Sequence, residues 1–258
     1  MPKFSANLGF LWPDRPLAAR IEAAARAGFR AVELHWPYDL APESVRDLCA
    51  GLGVELLGIN TPPGDTGKGE FGLGAITGRE SEFDAHFSQA LDWGRRAGAS
   101  AIHVMAGVVA PEQKASARAT LISNLRRAAQ AAPDMILLLE GLNPRDKPGY
   151  FYSTIGEKAG IIAETGAPNV RIMFDAYHVG VSEGDIFTRF ALHQPLIGHV
   201  QIAAVPSRAE PDEGEVAYAN LFRELDRLEY RGWVGCEYRP RGSTDEGLGW
   251  TRTLGVML

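Results

Sequence analysis

Short apolar runs of four to six residues alternate along this chain with longer stretches whose apolar positions recur every three or four residues. A run that short fits a strand buried on both faces, and the longer pattern fits an amphipathic helix packed on one side. Strands are predicted at Phe4 to Asn7, Ala31 to Leu34, Glu55 to Ile59, Ala101 to Val104, Ile136 to Glu140, Val170 to Asp175, Ile197 to Gln201 and Val234 to Glu237. Helices are predicted at Pro16 to Ala27, Pro42 to Ala50, Ser81 to Arg96, Pro111 to Ala131, Ile155 to Glu164, Asp185 to Leu192, Tyr218 to Leu228 and Thr244 to Leu254. The two kinds alternate strictly, so each strand is followed by a crossover helix and the strands must run parallel.

Gly28, Gly53, Gly98, Gly166 and Gly232 each follow a helical pattern and precede a strand, where a left-handed residue ends a helix. Eight such units make either an open doubly wound sheet or a closed barrel. No strand leads into a GxGxxG turn, and the closed (β/α)8 TIM barrel, one domain over residues 1–258, is preferred. The longest connection, Asn60 to Gly78, is glycine-rich and has the look of a mobile lid, while a second long loop, Ala203 to Val216, follows the seventh strand. Gly67-Lys68-Gly69 lacks the Ser or Thr and the helix start of a phosphate cradle.

In a barrel of this kind the chemistry sits at the carboxyl ends of the strands, so polar residues that end an apolar run are informative. Glu140, Asp175, Gln201 and Glu237 end strands five to eight. Three carboxylates and an amide at one mouth would repel one another without a cation, and all-oxygen ligands favour Mg2+ or Mn2+ over zinc. Strand alternation puts Leu138 with Glu140, Met173 with Asp175, His199 with Gln201 and Gly235 with Glu237 on the inward face. Cys236 then faces the helices as a packing residue.

His178, three residues beyond Asp175, is placed to hydrogen-bond a substrate oxygen, and Arg208 to clamp a substrate carboxylate. His103, at the end of strand four, is a third candidate for the substrate, balanced against a role in the barrel core; the core reading is favoured for His199. His35 and Trp36 follow the second strand, and His86 and His193 are assigned no role.

Composition narrows the function classes. The chain has 258 residues, 45% hydrophobic and 22% charged, with a net charge of −6 and scattered Lys and Arg, which argues against a nucleic-acid or anionic-membrane partner. Cys49 and Cys236 lack metal-ligand spacing and fit a reducing cytoplasm. Neither a signal-peptide pattern at the start nor an apolar stretch of about 20 residues is seen. A homo-oligomer is allowed but not indicated.

Several motifs resemble the hydroxypyruvate isomerase family, a branch of the sugar isomerase and epimerase barrels. They include Phe4-Ser5-Ala6-Asn7, Gly28-Phe29-Arg30-Ala31-Val32-Glu33, Pro37-Tyr38-Asp39, Pro63-Gly64-Asp65, Asp175-Ala176-Tyr177-His178, Ile197-Gly198-His199-Val200-Gln201-Ile202-Ala203 and Gly232-Trp233-Val234-Gly235-Cys236-Glu237-Tyr238. The resemblance spans nearly the whole chain. It implies that Glu140, Asp175, Gln201 and Glu237 hold a divalent metal and that Glu140 and Glu237 pass a proton between adjacent carbons of a small hydroxy or oxo acid. Hydroxypyruvate and tartronate semialdehyde would be interconverted through an enediolate. Glutamine at 201 is similar to the hydroxypyruvate isomerase branch, whereas the epimerases usually carry histidine. The alternatives are a 2-oxo-tetronate isomerase or ketose 3-epimerase on the same scaffold, a non-catalytic sugar- or acid-binding barrel, and a DNA-repair endonuclease, which would need a histidine-rich zinc cluster and a basic groove.

Overall fold

The protein, described by a computed structural model over residues 2–258, closes eight parallel strands into a barrel. Met1, the first residue of the expected domain, lies outside the described residues. The strands are β1 (Lys3–Asn7), β2 (Ala31–Glu33), β3 (Glu55–Asn60), β4 (Ala101–His103), β5 (Ile136–Glu140), β6 (Val170–Asp175), β7 (Ile197–Ile202) and β8 (Trp233–Cys236), with β8 pairing back onto β1. Around them lie α1 (Leu17–Ala27), α2 (Pro42–Leu52), α3 (Glu80–Ala97), α4 (Lys114–Ala131), α5 (Ile155–Thr165), α6 (Ala176–Ser182), α7 (Ile186–His193), α8 (Tyr218–Arg227), α9 (Thr244–Gly247) and α10 (Trp250–Leu254).

Helix ends follow local chemistry. Gly28, Gly53, Gly98 and Gly166 end α1, α2, α3 and α5 in the left-handed conformation, where a side chain would be strained. Gly232 is not left-handed; Glu229, with φ of 54°, takes that conformation after α8, and Gly232 instead gives room to the Tyr230 ring. Helix α5 opens with a reciprocal capping box, in which Thr154 accepts from the Glu157 amide and Glu157 accepts from the Thr154 amide.

Two differences from the sequence reading bear on the site. The segment between β6 and the helix predicted from Asp185 is itself helical: α6 starts directly on Asp175, whose carboxylate accepts from the Tyr177 amide at 2.8 Å, so His178 sits on a helix. The expected last helix is split into α9 and α10. The glycine-rich connection is anchored at its far end, where Gly74 and Ala75 donate to the Met105 and Ala106 carbonyls and Leu73 and Ala75 are buried. Asp65 already accepts from Gly67 and pairs with Lys68, which fills the place a phosphate would need.

The main core lies between barrel and helices and includes Leu137, Leu139, Ile172, Phe174, Val234 and Cys236, the outward-facing residues of their strands. Each large side chain buried there stabilises the fold by about 1.5–3 kcal/mol. The alternate positions Ala101, Leu138 and Met173 form a separate small cluster inside the barrel. Small residues on other inward positions leave that interior hollow, as a cavity of about 190 Å³ lined by Gly58, Ala101, Gly198 and His199 among others. Gly198 is constrained by its surroundings, since a Cβ there would stand 2.7 Å from the Arg171 Cβ.

Candidate active site

At the mouth of the barrel a second cavity of about 350 Å³ is lined by Phe10, Trp36 and Phe71 on its apolar walls and by Glu140, His178, Arg208 and Glu237. It shares Glu140, Glu237, His35 and His103 with the hollow below. A volume of this order suits a small polar molecule.

Strand ends and register bring the acids together. Asp175 pairs in register with Gln201, and Gln201 with Gly235, two residues before Glu237. Glu140, Asp175, Gln201 and Glu237 are all buried. Burial raises the Glu140 carboxyl well above the usual range, and the charges of Glu237 and Asp175 push it further. Asp175 is raised to about 7, again by burial and then by Glu237. Glu237 moves the other way: burial would raise it, but the His35 hydrogen bond and the Arg208 charge outweigh that and hold it at about 2.

The hydrogen bonds explain this split. Glu237 Oε1 accepts from Asn7 Nδ2 at 3.2 Å and lies 3.2 Å from His35 Nε2, while Oε2 accepts from Arg208 at 3.0 Å. Glu140 Oε1 and Asp175 Oδ2 are buried with no hydrogen-bond partner, as is Gln201 Oε1. Orphaned acceptors cost free energy that a bound cation would offset. Buried oxygens left without a partner fit a hard divalent cation, and Glu140, Asp175 and Gln201, on the neighbouring strands β5, β6 and β7, each offer one. Glu237, also expected among the ligands, has its carboxylate engaged by the three donors named above.

Glu140, Asp175 and His178 offer ligand atoms within 4.8 Å of one another. His178, however, is poorly suited to be a ligand. Its Nδ1 accepts from the Asn143 main-chain amide at 3.0 Å and lies 2.8 Å from Asn143 Nδ2. Burial and the Arg208 charge lower its pKa to about 3, so the ring is neutral. A neutral ring that accepts at Nδ1 carries its hydrogen on Nε2. That nitrogen lies 3.6 Å from both Glu140 Oε1 and Asp175 Oδ2 and is buried with no hydrogen-bond partner.

Arg208 reaches the site from the loop after β7. A turn closed by the Ala204 amide to the Ala209 carbonyl, and the Arg208 amide to the Ala204 carbonyl, holds it left-handed at φ 57°. Its guanidinium is stacked between the Phe10 and Tyr177 rings at 4.8 and 4.9 Å and leaves Nε buried without a partner. His103 Nδ1 lies 3.6 Å from Glu140 Oε2, and burial lowers its pKa to about 3. His199 faces into the barrel, with Nε2 3.0 Å from Glu33 Oε1.

Sequence reasoning passed over Asn7, Glu33, His35, Asn143 and Lys158. Asn7 and Glu33 end β1 and β2, so the rule that singled out Glu140 and Asp175 applies equally to them. Lys158, fully buried on α5, carried no such signal; burial lowers its pKa to about 8, and a Cβ on Gly141 would stand 3.0 Å from its Nζ.

Residues 21–254 match the xylose isomerase-like TIM barrel family. The chain is 43% identical to 2-oxo-tetronate isomerase of Cupriavidus necator, covering 98% of each protein. It is 38% identical to hydroxypyruvate isomerase of Escherichia coli, covering 97% of this chain and 98% of that one. The crystal structure of an AP endonuclease, family 2, from Brucella melitensis superposes with a TM-score of 0.95 at 38% identity over 98% of both chains. The chain belongs to the xylose isomerase-like TIM barrel family, grouped with its hydroxypyruvate and 2-oxo-tetronate isomerases.

Proposed function

We propose that this isomerase interconverts a short 2-oxo acid and its hydroxy-aldehyde or hydroxy-ketone isomer, with hydroxypyruvate and 2-oxo-tetronate as the substrates to test first. The observation that carries the reading is the opposite bias of two buried glutamates on one cavity, Glu237 held ionised and Glu140 held toward its protonated form. A proton shift between adjacent carbons needs a group that takes the proton and a group that returns it.

Glu237 is then the base. Its bonds from His35, Asn7 and Arg208 fix where its lone pairs point but also lower its basicity, so substrate must displace at least one of them. Glu140 gives a proton held on Oε2, the oxygen beside His103, to the adjacent carbon while Oε1 faces the ion, and the two carboxyls reset by proton exchange with water as product leaves. The His178 Nε2–H holds the substrate oxygen between Glu140 and Asp175, and Arg208 offers its free Nε to the carboxylate. Phe10, Trp36 and Phe71 keep the walls apolar, which strengthens every charge interaction inside. A divalent ion, Mg2+ or Mn2+, held by Glu140, Asp175 and Gln201 with Glu237 beside it, would supply positive charge where the substrate oxygens become negative.

The endonuclease name of the Brucella structure does not carry over by chemistry: the chain has a net charge of −6 and six histidines, and its mouth balances Lys147, Arg208 and Arg239 with Glu140, Asp146 and Glu237, which is not the basic groove a polyanion needs. The test is turnover of hydroxypyruvate, 2-oxo-tetronate and free ketoses by the purified protein, before and after chelation, with Glu237→Gln alongside. Turnover of an acid that drops by a factor of about 10²–10⁴ in the variant supports the reading. Turnover of ketoses alone moves the protein to the epimerases, and none on any substrate favours a binding barrel.

A further inference from the structure

Glu33 has no part in the chemistry above, yet it is buried in the hollow of the barrel beneath the mouth and uses both carboxylate oxygens. Oε1 accepts from Ser5 Oγ at 2.6 Å and lies 3.0 Å from His199 Nε2. Oε2 accepts from Gln201 Nε2 at 2.9 Å and from Asn7 Nδ2 at 3.5 Å. Gly235 makes the room, since a Cβ there would stand 2.2 Å from Glu33 Oε1.

An amide has two ends of nearly the same shape, and only its oxygen can meet a cation. Packing alone cannot tell the two orientations of Gln201 apart; hydrogen bonds can. The Glu33 carboxylate only accepts, so Gln201 must turn Nε2 toward it, which leaves Oε1 on the far side, buried and without a partner. We infer that Glu33 is a positioning residue that locks the Gln201 amide with its oxygen toward the ion site. Asn7 extends the same scaffold, because its Nδ2 is shared between Glu33 and Glu237. Ser5 and His199 keep Glu33 itself in place. The inference rests on the ion-binding reading proposed above.

Mn2+ affinity, measured by calorimetry on the full chain with circular dichroism as a check on folding, tests it without using activity. Glu33→Met keeps the length and removes the acceptor, and it weakens Mn2+ binding by about 10–100-fold, the range for lost outer partners of a metal ligand. Glu33→Gln stays within a few-fold, because its amide oxygen can accept from Gln201 while the Ser5 hydroxyl and His199 take the amide nitrogen. Adding Gln201→Glu to Glu33→Met restores binding, because a carboxylate has no wrong end.

Unchanged affinity in a folded Glu33→Met, or a loss that persists in the double variant, overturns the inference. Should Glu33→Met not fold, Gln201→Glu alone is compared with Gln201→Glu plus Glu33→Gln. The single change sets two carboxylates face to face and weakens binding, and the exchange relieves it; equal affinities overturn the inference. A wild-type protein that binds no Mn2+ overturns the ion reading itself, and the inference with it.

Discussion

The affinity of the site for Mn2+ should rise steeply with pH, and the structure sets both the size and the source of the effect. Asp175 is raised to about 7, so at about pH 5.5 it is protonated and an ion must displace that proton. With the pKa at about 7 the site is already half protonated at about pH 7, so going from there to about pH 5.5 weakens binding roughly sixteenfold through Asp175 alone. Glu140, pushed well up by burial and by the two neighbouring charges, gives up its proton only in part to the ion, which steepens the dependence and leaves it a proton to deliver. Glu237, at about 2, is already ionised and His103 and His178, at about 3, are already neutral over this range, whereas Lys158, at about 8, loses charge only toward the alkaline end. The sign follows directly, since raised carboxyls bind protons that the ion must expel. Calorimetric titrations from about pH 5.5 to 8, in two buffers of different ionisation enthalpy, give the affinity and the protons released. Between one and two protons leave per ion at the acid end. A pH-independent affinity with no proton release would refute the electrostatic account of Glu140 and Asp175.

Asn143→Ala removes one of the two donors to His178 Nδ1 and loosens the loop that supplies the other; nitrogen NMR of the ring shows the Nε2–H form in the wild type and a mixture in the variant, with kcat reduced about tenfold. Arg208→Lys keeps the charge but loses the flat stack between Phe10 and Tyr177, and KM for an acid substrate rises more than kcat falls; equal kinetics in the two proteins would count against a carboxylate contact. Thr154→Ala breaks the capping box of α5 and lowers stability by about 1 kcal/mol, read as a Tm drop of about 2–4 °C with turnover unchanged.

The chain by itself determined the barrel and half of its mouth. Runs such as Ile136 to Glu140 and Val170 to Asp175 state a buried strand and its polar end in consecutive letters, because a strand's two-residue alternation is local. The left-handed glycines after α1, α2, α3 and α5 are local in the same way, and Gly232 misled because a steric demand from Tyr230 leaves the same letter as a helix stop. Glu33 was within reach of the strand-end rule but sits in a strand of only three residues, where the run Ala31-Val32 was read through to Leu34. Its meaning was out of reach, since it comes from Ser5, His199 and Gln201, up to 168 residues away. The tautomer of His178 was likewise set by Asn143, 35 residues earlier, and the biases of Glu140 and Glu237 by which charges the closed barrel aims at each. Alternation along one strand tells which way a side chain points; only closure of the sheet tells what it meets there, and hydrogen bonds and charge interactions at about 3 Å depend on what is met.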